Sequence, residues 1–402
     1  MSSHQRPPFR AEHMGSLLRP KALSDKRVQL DGEKAVVIAA DKELRKLEDD
    51  AIDDIIKVQL DLGYRPVTDG EYRRHQFWGT FFPALEGMEE LADPPLDMFR
   101  LYVPDLAAFT EAGHKPGESI VCVGKIKHTG STYLDQWNYL KDHLPADRVA
   151  GAKLTLPAPE WYHLRYKPGY AYPKDVYADD AAYFADIAVA YQTELQILYD
   201  AGCRNVTIDD PNLAYFCSEK MLQGFRDHGE DADALLASYV QLYNDCLAKR
   251  PADLHVGLHL CRGNFAYSRH FSEGAYDRIA KTLFREINVD TYFLEYDTER
   301  AGGFAPLAEL PAHKNVIVGV ITSKFPALED LAAMRARVYE AADCVARGTA
   351  GQTREQALQR IGVSPQCGFA SHHLGNSVTH QDMVNKLKLV RDLADSIWPG
   401  EP

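Results

Sequence analysis

Eight short, largely apolar stretches, most of them followed by a helical or loop segment, constrain this chain more than any other feature. They fall at 8–14, 66–70, 151–157, 205–210, 254–261, 291–296, 315–321 and 362–367. Between them lie segments with helical period: 41–62, 180–201, 232–249, 275–286, 327–347, 353–361 and 380–397. In the first of these, Leu44, Leu47, Ile52, Ile55, Ile56 and Leu60 recur at three and four. Eight β/α units predict a (β/α)8 TIM barrel, and 402 residues suit one such barrel spanning 1–402. The rhythm breaks at 72–150, which contains Phe77-Trp78, Phe81-Phe82 and one alternating strand, Ser119–Ile126. This stretch reads as an insertion after the second strand, with its own small sheet, capping the barrel mouth.

Composition removes several classes of function. A net charge of −13 offers no basic stripe for a nucleic-acid backbone. No run approaches the roughly 18 apolar residues of a membrane helix, and the N-terminal stretch lacks the apolar core of a secretory signal. The cytoplasm is the expected compartment. Seven cysteines, odd in number and widely spaced, read as thiols rather than a disulfide framework. A homodimer is an open expectation.

In a barrel of this kind chemistry sits at the C-terminal ends of the strands. Polar residues stand at nearly every one: Ser16, Asp69 and Glu71, Asp209 and Asp210, His259 and Cys261, Glu295, Thr322 and Ser323, and Cys367. His259 and Cys261 are two apart and point the same way off a strand. With Glu295 and Cys367 from the sixth and eighth strands they form an N/S/O donor set suited to tetrahedral Zn2+. Three anionic ligands leave the site electron-rich, a poor activator of water but a good host for an outside thiol, which the metal ionises. Glu295 is the ligand expected to leave when a substrate sulfur arrives. The reaction class is alkyl transfer to a metal-activated sulfur. His13 reads as structural, the tyrosines of 162–177 as cover for the rim, and Trp161 as the aromatic residue nearest to substrate.

These segments, taken in order, resemble the catalytic half of the cobalamin-independent methionine synthase family, in its short single-barrel form. The carriers are Phe9-Arg-Ala-Glu-His-Met-Gly-Ser-Leu-Leu-Arg-Pro20, Thr68-Asp-Gly-Glu-Tyr-Arg-Arg74, Ile208-Asp-Asp-Pro211, His259-Leu-Cys261, Phe293-Leu-Glu-Tyr296 and Ser364-Pro-Gln-Cys-Gly368. The resemblance implies zinc on His259, Cys261, Glu295 and Cys367. It implies an amino-acid thiol such as homocysteine, with its ammonium on Glu71 and Asp209 and its carboxylate at Gly15 and Ser16. It places Asp210 toward a folate-like methyl donor, so that a methyl group passes from a methyltetrahydrofolate-type or simpler donor to sulfur. The chain departs from the family pattern in having no room for a second barrel, and no histidine in Gly319-Val-Ile-Thr-Ser-Lys324 to protonate a departing folate. Lys324, His372 and His373 are the available stand-ins. Two further readings remain: a zinc–thiolate enzyme using another thiol and electrophile or cleaving a carbon–sulfur bond, and a non-catalytic protein stabilised by zinc.

Overall fold

The computed structural model describes residues 6–111, 119–264, 269–371 and 377–402. A two-stranded antiparallel hairpin, β1 (Glu86–Leu91) and β2 (Ser119–Lys127), lies within the inserted segment. Six parallel strands follow in chain order and pair in that order: β3 (Leu154–Pro157), β4 (Asn205–Asp210), β5 (His255–Leu260), β6 (Thr291–Glu295), β7 (Asn315–Ile321) and β8 (Ile361–Pro365). Helices form the crossovers that parallel pairing requires. Their starts are written in the sequence: Asp41, Asp179 and Asp330 each accept a backbone N–H of the first turn, and Thr379 with Asp382 forms a capping box.

The fold is the expected α/β barrel architecture, with a correction at its first two strands. Residues 8–14 and 66–70 do not form regular strands. The first runs beside β8 through one parallel bridge, Ala11 with Val363. The second touches β3 through Lys153 N–H on the Val67 carbonyl, 2.9 Å. The physical reason is competition for the backbone. Pro8 and Pro66 have no N–H to give a ladder. Both backbone polar groups of Thr68 are taken by the Gln59 side chain, whose amide nitrogen and oxygen each bond at 2.9 Å.

Alternation along the strands separates two layers. One large apolar core fills the space between sheet and helices, and includes Val206, Ile208, Val256, Leu258, Leu260, Leu294, Val316, Val318 and Val363. A second, small cluster of Met14, Phe293 and Ile317 sits apart from it. Lys153 lies over the Phe293 ring at 4.8 Å and pairs with Glu12 at 2.8 Å. Residues from the first segment, β3, β6 and β7 therefore meet inside the sheet's curve. Because the interior is filled in this way, the reactive side chains are carried at its upper end, where the strands stop.

Among the tyrosines read as rim cover, Tyr162, Tyr166, Tyr172 and Tyr177 are buried and only Tyr170 is exposed. Tyr166 donates to the Ile120 carbonyl, and Tyr177 accepts from Ile126 N–H and donates to Asp186. They fasten the hairpin to the body. Among the described residues no helix is long and apolar enough to cross a membrane.

Candidate active site

β5 ends by delivering His259 inward and Leu260 outward, and Cys261 follows on the inward side. β6 brings Glu295, and the turn after β8 brings Cys367. One donor atom from each of His259, Cys261, Glu295 and Cys367 lies within 4.8 Å of the others, and all four residues are buried. The sulfurs of Cys261 and Cys367 are 3.5 Å apart. His259 Nδ1–H donates to the Phe293 carbonyl at 3.1 Å, which leaves the Nε2 lone pair for the cluster. That Nε2 is buried with no nitrogen or oxygen partner, and the Cys367 sulfur is the group that acts on the ring. Glu295 is held at both oxygens, by Arg262 N–H at 2.6 Å and by the Arg300 guanidinium at 2.7 Å.

The charges fit a cation. The Cys261 thiol donates to Cys367, which holds the Cys367 thiolate down to about 5 and drives Cys261 well above the usual thiol range. Burial pushes the His259 imidazole down, but the Cys367 thiolate, Asp209 and Glu295 outweigh it and lift His259 to about 9. Burial likewise pushes the Glu295 carboxyl up, yet Arg300, His259 and Lys324 together bring it below its ordinary value. A site that gathers positive charge onto His259 is one whose donors are short of a cation. A buried Nε2 with no nitrogen or oxygen partner, beside two sulfurs and a carboxylate, matches the ligand chemistry of zinc.

A second group of acids faces the same end of the barrel. Asp209 sits in register with His259 across β4 and β5. Its Oδ1 is buried without a partner, and burial, followed by the Cys367 and Glu71 charges, holds its carboxyl well above the ordinary range despite the opposing pull of His259. Glu71 lies in a turn where Gly70 and Glu71 both have positive φ, 69° and 60°. That left-handed conformation costs a non-glycine residue about 1–2 kcal/mol. Glu71 Oε1 accepts from Thr155 at 2.5 Å, while Oε2 is buried and unpartnered. Gly15 has φ +133°, and a Cβ there would stand 2.5 Å from Thr155 Cγ2. Ser16 packs on Gly368, where any Cβ would collide with its hydroxyl, and its carbonyl accepts from Phe369 N–H at 2.9 Å. Gly15 and Ser16 thus connect the Glu71 turn to the turn that carries Cys367.

Asp210 stands apart from this group. Alternation turns it outward, where Tyr243 donates to it at 2.5 Å and Leu213 N–H at 3.0 Å. It caps the short helix Pro211–Tyr215 and neighbours the buried Glu160. His13 is buried edge-on against Tyr64, outside the donor cluster. Trp161 is buried beneath the Arg165 guanidinium, 3.4 Å from its centroid, and stacks with Trp78 at 4.9 Å. Lys324 spends its ammonium on Gly263 and Arg269 carbonyls and on Asn264 Oδ1, fixing the loop after β5. His372 and His373 lie outside the described residues. Sequence reasoning passed over Arg300, the Arg262 N–H, Thr155 and Arg19. The last ties together the carbonyls of Glu71, Arg74 and Ala370, each at 2.9 Å.

Fold and site together define a parallel α/β barrel protein with a buried His/Cys/Glu/Cys cluster able to hold a metal ion. The family model for the catalytic domain of cobalamin-independent synthase matches residues 170–395, and the chain belongs to that family. It is 34% identical over 396 residues to the uncharacterized protein YxjG of Bacillus subtilis strain 168, covering 98% of this chain and 96% of that one. It is 24% identical over 272 residues to a methionine synthase of Saccharolobus solfataricus, covering 66% and 67%. Among solved structures, a candidate vitamin-B12 independent methionine synthase from Listeria monocytogenes superposes with TM-score 0.70 at 30% identity, covering 98% of this chain and 99% of the other. Membership makes the chain a methyltransferase of the cobalamin-independent, methionine-synthase-like kind.

Proposed function

We propose that this protein is a zinc-dependent methyltransferase that passes a methyl group from a methyltetrahydrofolate-type or simpler donor to a thiol such as homocysteine, giving methionine. The observation that carries the reading is the four-donor cluster with the His259 Nε2 left without a nitrogen or oxygen partner. His259, Cys261, Glu295 and Cys367 would hold the ion. Bound Zn2+ would lower the pKa of an incoming thiol so that it reacts as a thiolate near neutral pH.

The chain's own residues do the rest. Glu71 and Asp209 present two buried carboxylate oxygens with no internal partner, and a substrate ammonium supplies the missing charge and donors. The Gly15–Ser16 turn takes the substrate carboxylate. Arg262 N–H and Arg300 keep Glu295 oriented and anionic, and would keep its carboxylate stabilised whether or not it coordinated the ion. The whole chain acts as one barrel, with 72–150 as its cap. The test is direct. Metal-loaded protein, given homocysteine and mono- or triglutamyl methyltetrahydrofolate, is expected to form methionine, and chelated protein is not. Equal turnover by both preparations would sink the metal's role.

A second reading keeps the site and changes the electrophile. It is favoured by one observation: the Asp210 carboxylate is occupied by Tyr243 and Leu213 and turned away from the cluster. Under this reading homocysteine perturbs the spectrum of a cobalt-substituted sample, yet no methionine forms with either folate.

A further inference from the structure

Two side chains to which the sequence assigned no role, Arg74 and Thr155, converge on Glu71. Arg74 is buried, and its guanidinium makes four hydrogen bonds: Nε on Gln136 Oε1 at 3.0 Å, Nη1 on Thr155 Oγ1 at 2.7 Å and on the Phe77 carbonyl at 3.0 Å, Nη2 on the Thr155 carbonyl at 2.8 Å; Nη1 also lies 3.7 Å from Glu71 Oε1. Gln136 belongs to the helix Tyr133–Asp142 of the inserted segment, and Tyr133 lies under the guanidinium at 4.8 Å. The insertion therefore grips the site through Arg74.

A threonine hydroxyl has one proton. With Arg74 donating to Thr155 Oγ1, that proton is directed onto Glu71 Oε1, 2.5 Å away. The direction of this relay is fixed, since a guanidinium accepts nothing. Its result is that one oxygen of Glu71 is tethered while the other, Oε2, is left buried and unpartnered. The Arg74 charge and the Thr155 bond also oppose the upward push of burial on the Glu71 carboxyl. Gly15 gives Thr155 the room to stand there.

We infer that Thr155 and Arg74 are positioning residues that aim Glu71 at the substrate's α-ammonium, and so set the preference for amino-acid thiols over thiols without an amino group. The inference rests on the amine-binding role proposed for Glu71. Thr155→Val keeps the shape and removes the relay, and Thr155→Ser restores the hydroxyl.

The experiment measures binding of homocysteine and of its des-amino analogue 4-mercaptobutyrate to zinc-loaded protein by calorimetry, with metal content measured in each sample. The wild type is expected to prefer homocysteine by roughly tenfold or more, the scale of a hydrogen bond to a charged group. Thr155→Val should bring the two within about twofold by weakening homocysteine alone, at unchanged metal content, and Thr155→Ser should retain the preference. A Thr155→Val protein that keeps the wild-type preference, a wild type with none, or equal weakening of both thiols overturns the inference. Methyl transfer is assayed separately. A wild type that discriminates between the thiols but makes no methionine rejects the proposed reaction and leaves the positioning role supported.

Discussion

His255 and His259 stand four residues apart on β5, on the same face, and meet opposite fates. At the lower end His255 is matched on both ring nitrogens, Nδ1 to Asn205 Oδ1 at 2.9 Å and Nε2 to Thr291 Oγ1 at 2.8 Å. At the upper end His259 is matched on one and open on the other. The contrast extends to their neighbours. Below, Asp290 takes both arms of Arg250 and the Val256 N–H, and Glu12 takes Lys153. Above, Asp209, Glu71 and His259 each keep a buried polar atom without a partner. Buried polar groups are nearly always satisfied from within, so the open ones mark where an outside partner belongs. Open polar atoms also occur elsewhere, at both His13 ring nitrogens and at Thr207 Oγ1, so it is their convergence with the donor cluster that sets the upper end apart.

The sharpest way to break this comparison is to remove a donor from the open end. Cys367→Ser should abolish stoichiometric metal binding and lower methyl transfer on the order of a hundredfold or more, with little change in the unfolding midpoint. Metal by mass spectrometry and a urea titration test both halves. Full metal content would remove Cys367 from the set.

The closed end should respond the other way. Glu12→Gln strips the partner from a fully buried ammonium and should cost about 3 kcal/mol of stability, read by urea unfolding, because the Lys153 charge is left uncompensated. An unchanged midpoint would show that the lower pairs are not structural.

Acid should act on the closed end through His255. Burial holds its imidazole down to about 4, despite the opposing Asp290 charge. The folded form is neutral where the unfolded chain, near 6.5, already takes up a proton. Its contribution is therefore whole above pH 6.5 and is lost as pH falls toward 4, up to about 3 kcal/mol. His255→Gln should flatten the stability profile across that window, and an identical slope in the variant would reject the assignment. His13, held to about 3 mainly by its burial, adds a share in the same direction that this variant leaves in place.

The mildest effect is expected at the amine acids. Asp209→Asn should raise KM for the thiol about tenfold and move kcat little, since the group orients rather than reacts. A kcat loss with unchanged KM would place Asp209 in the chemistry instead.

Much of this was legible in the chain. Apolar runs spaced by helical segments located all six strands of the sheet, and polar residues at strand ends pointed to His259, Cys261, Glu295 and Cys367, which the fold brings together. The first two stretches take the places of strands in the chain order, but a glutamine side chain and two prolines decide where their backbones bond. Asp209 is expected at the ammonium and Asp210 toward the methyl donor. Strand alternation already assigns neighbours to opposite faces, and the structure follows it. Thr155, Arg74, Arg300 and Arg19 left no local signal, because each acts on partners brought near only by the fold.

The spacing of Cys261 and Cys367, 106 residues apart in the chain, has a consequence for synthesis. A growing polypeptide exposes imidazole, first thiol and carboxylate long before the last sulfur leaves the ribosome. The donor set closes only when β8 has joined β7 and the Cys367 turn has docked on Ser16. An ion held by these four residues would be acquired only at the end of folding, and a truncated or stalled product would have no complete site with which to compete for it.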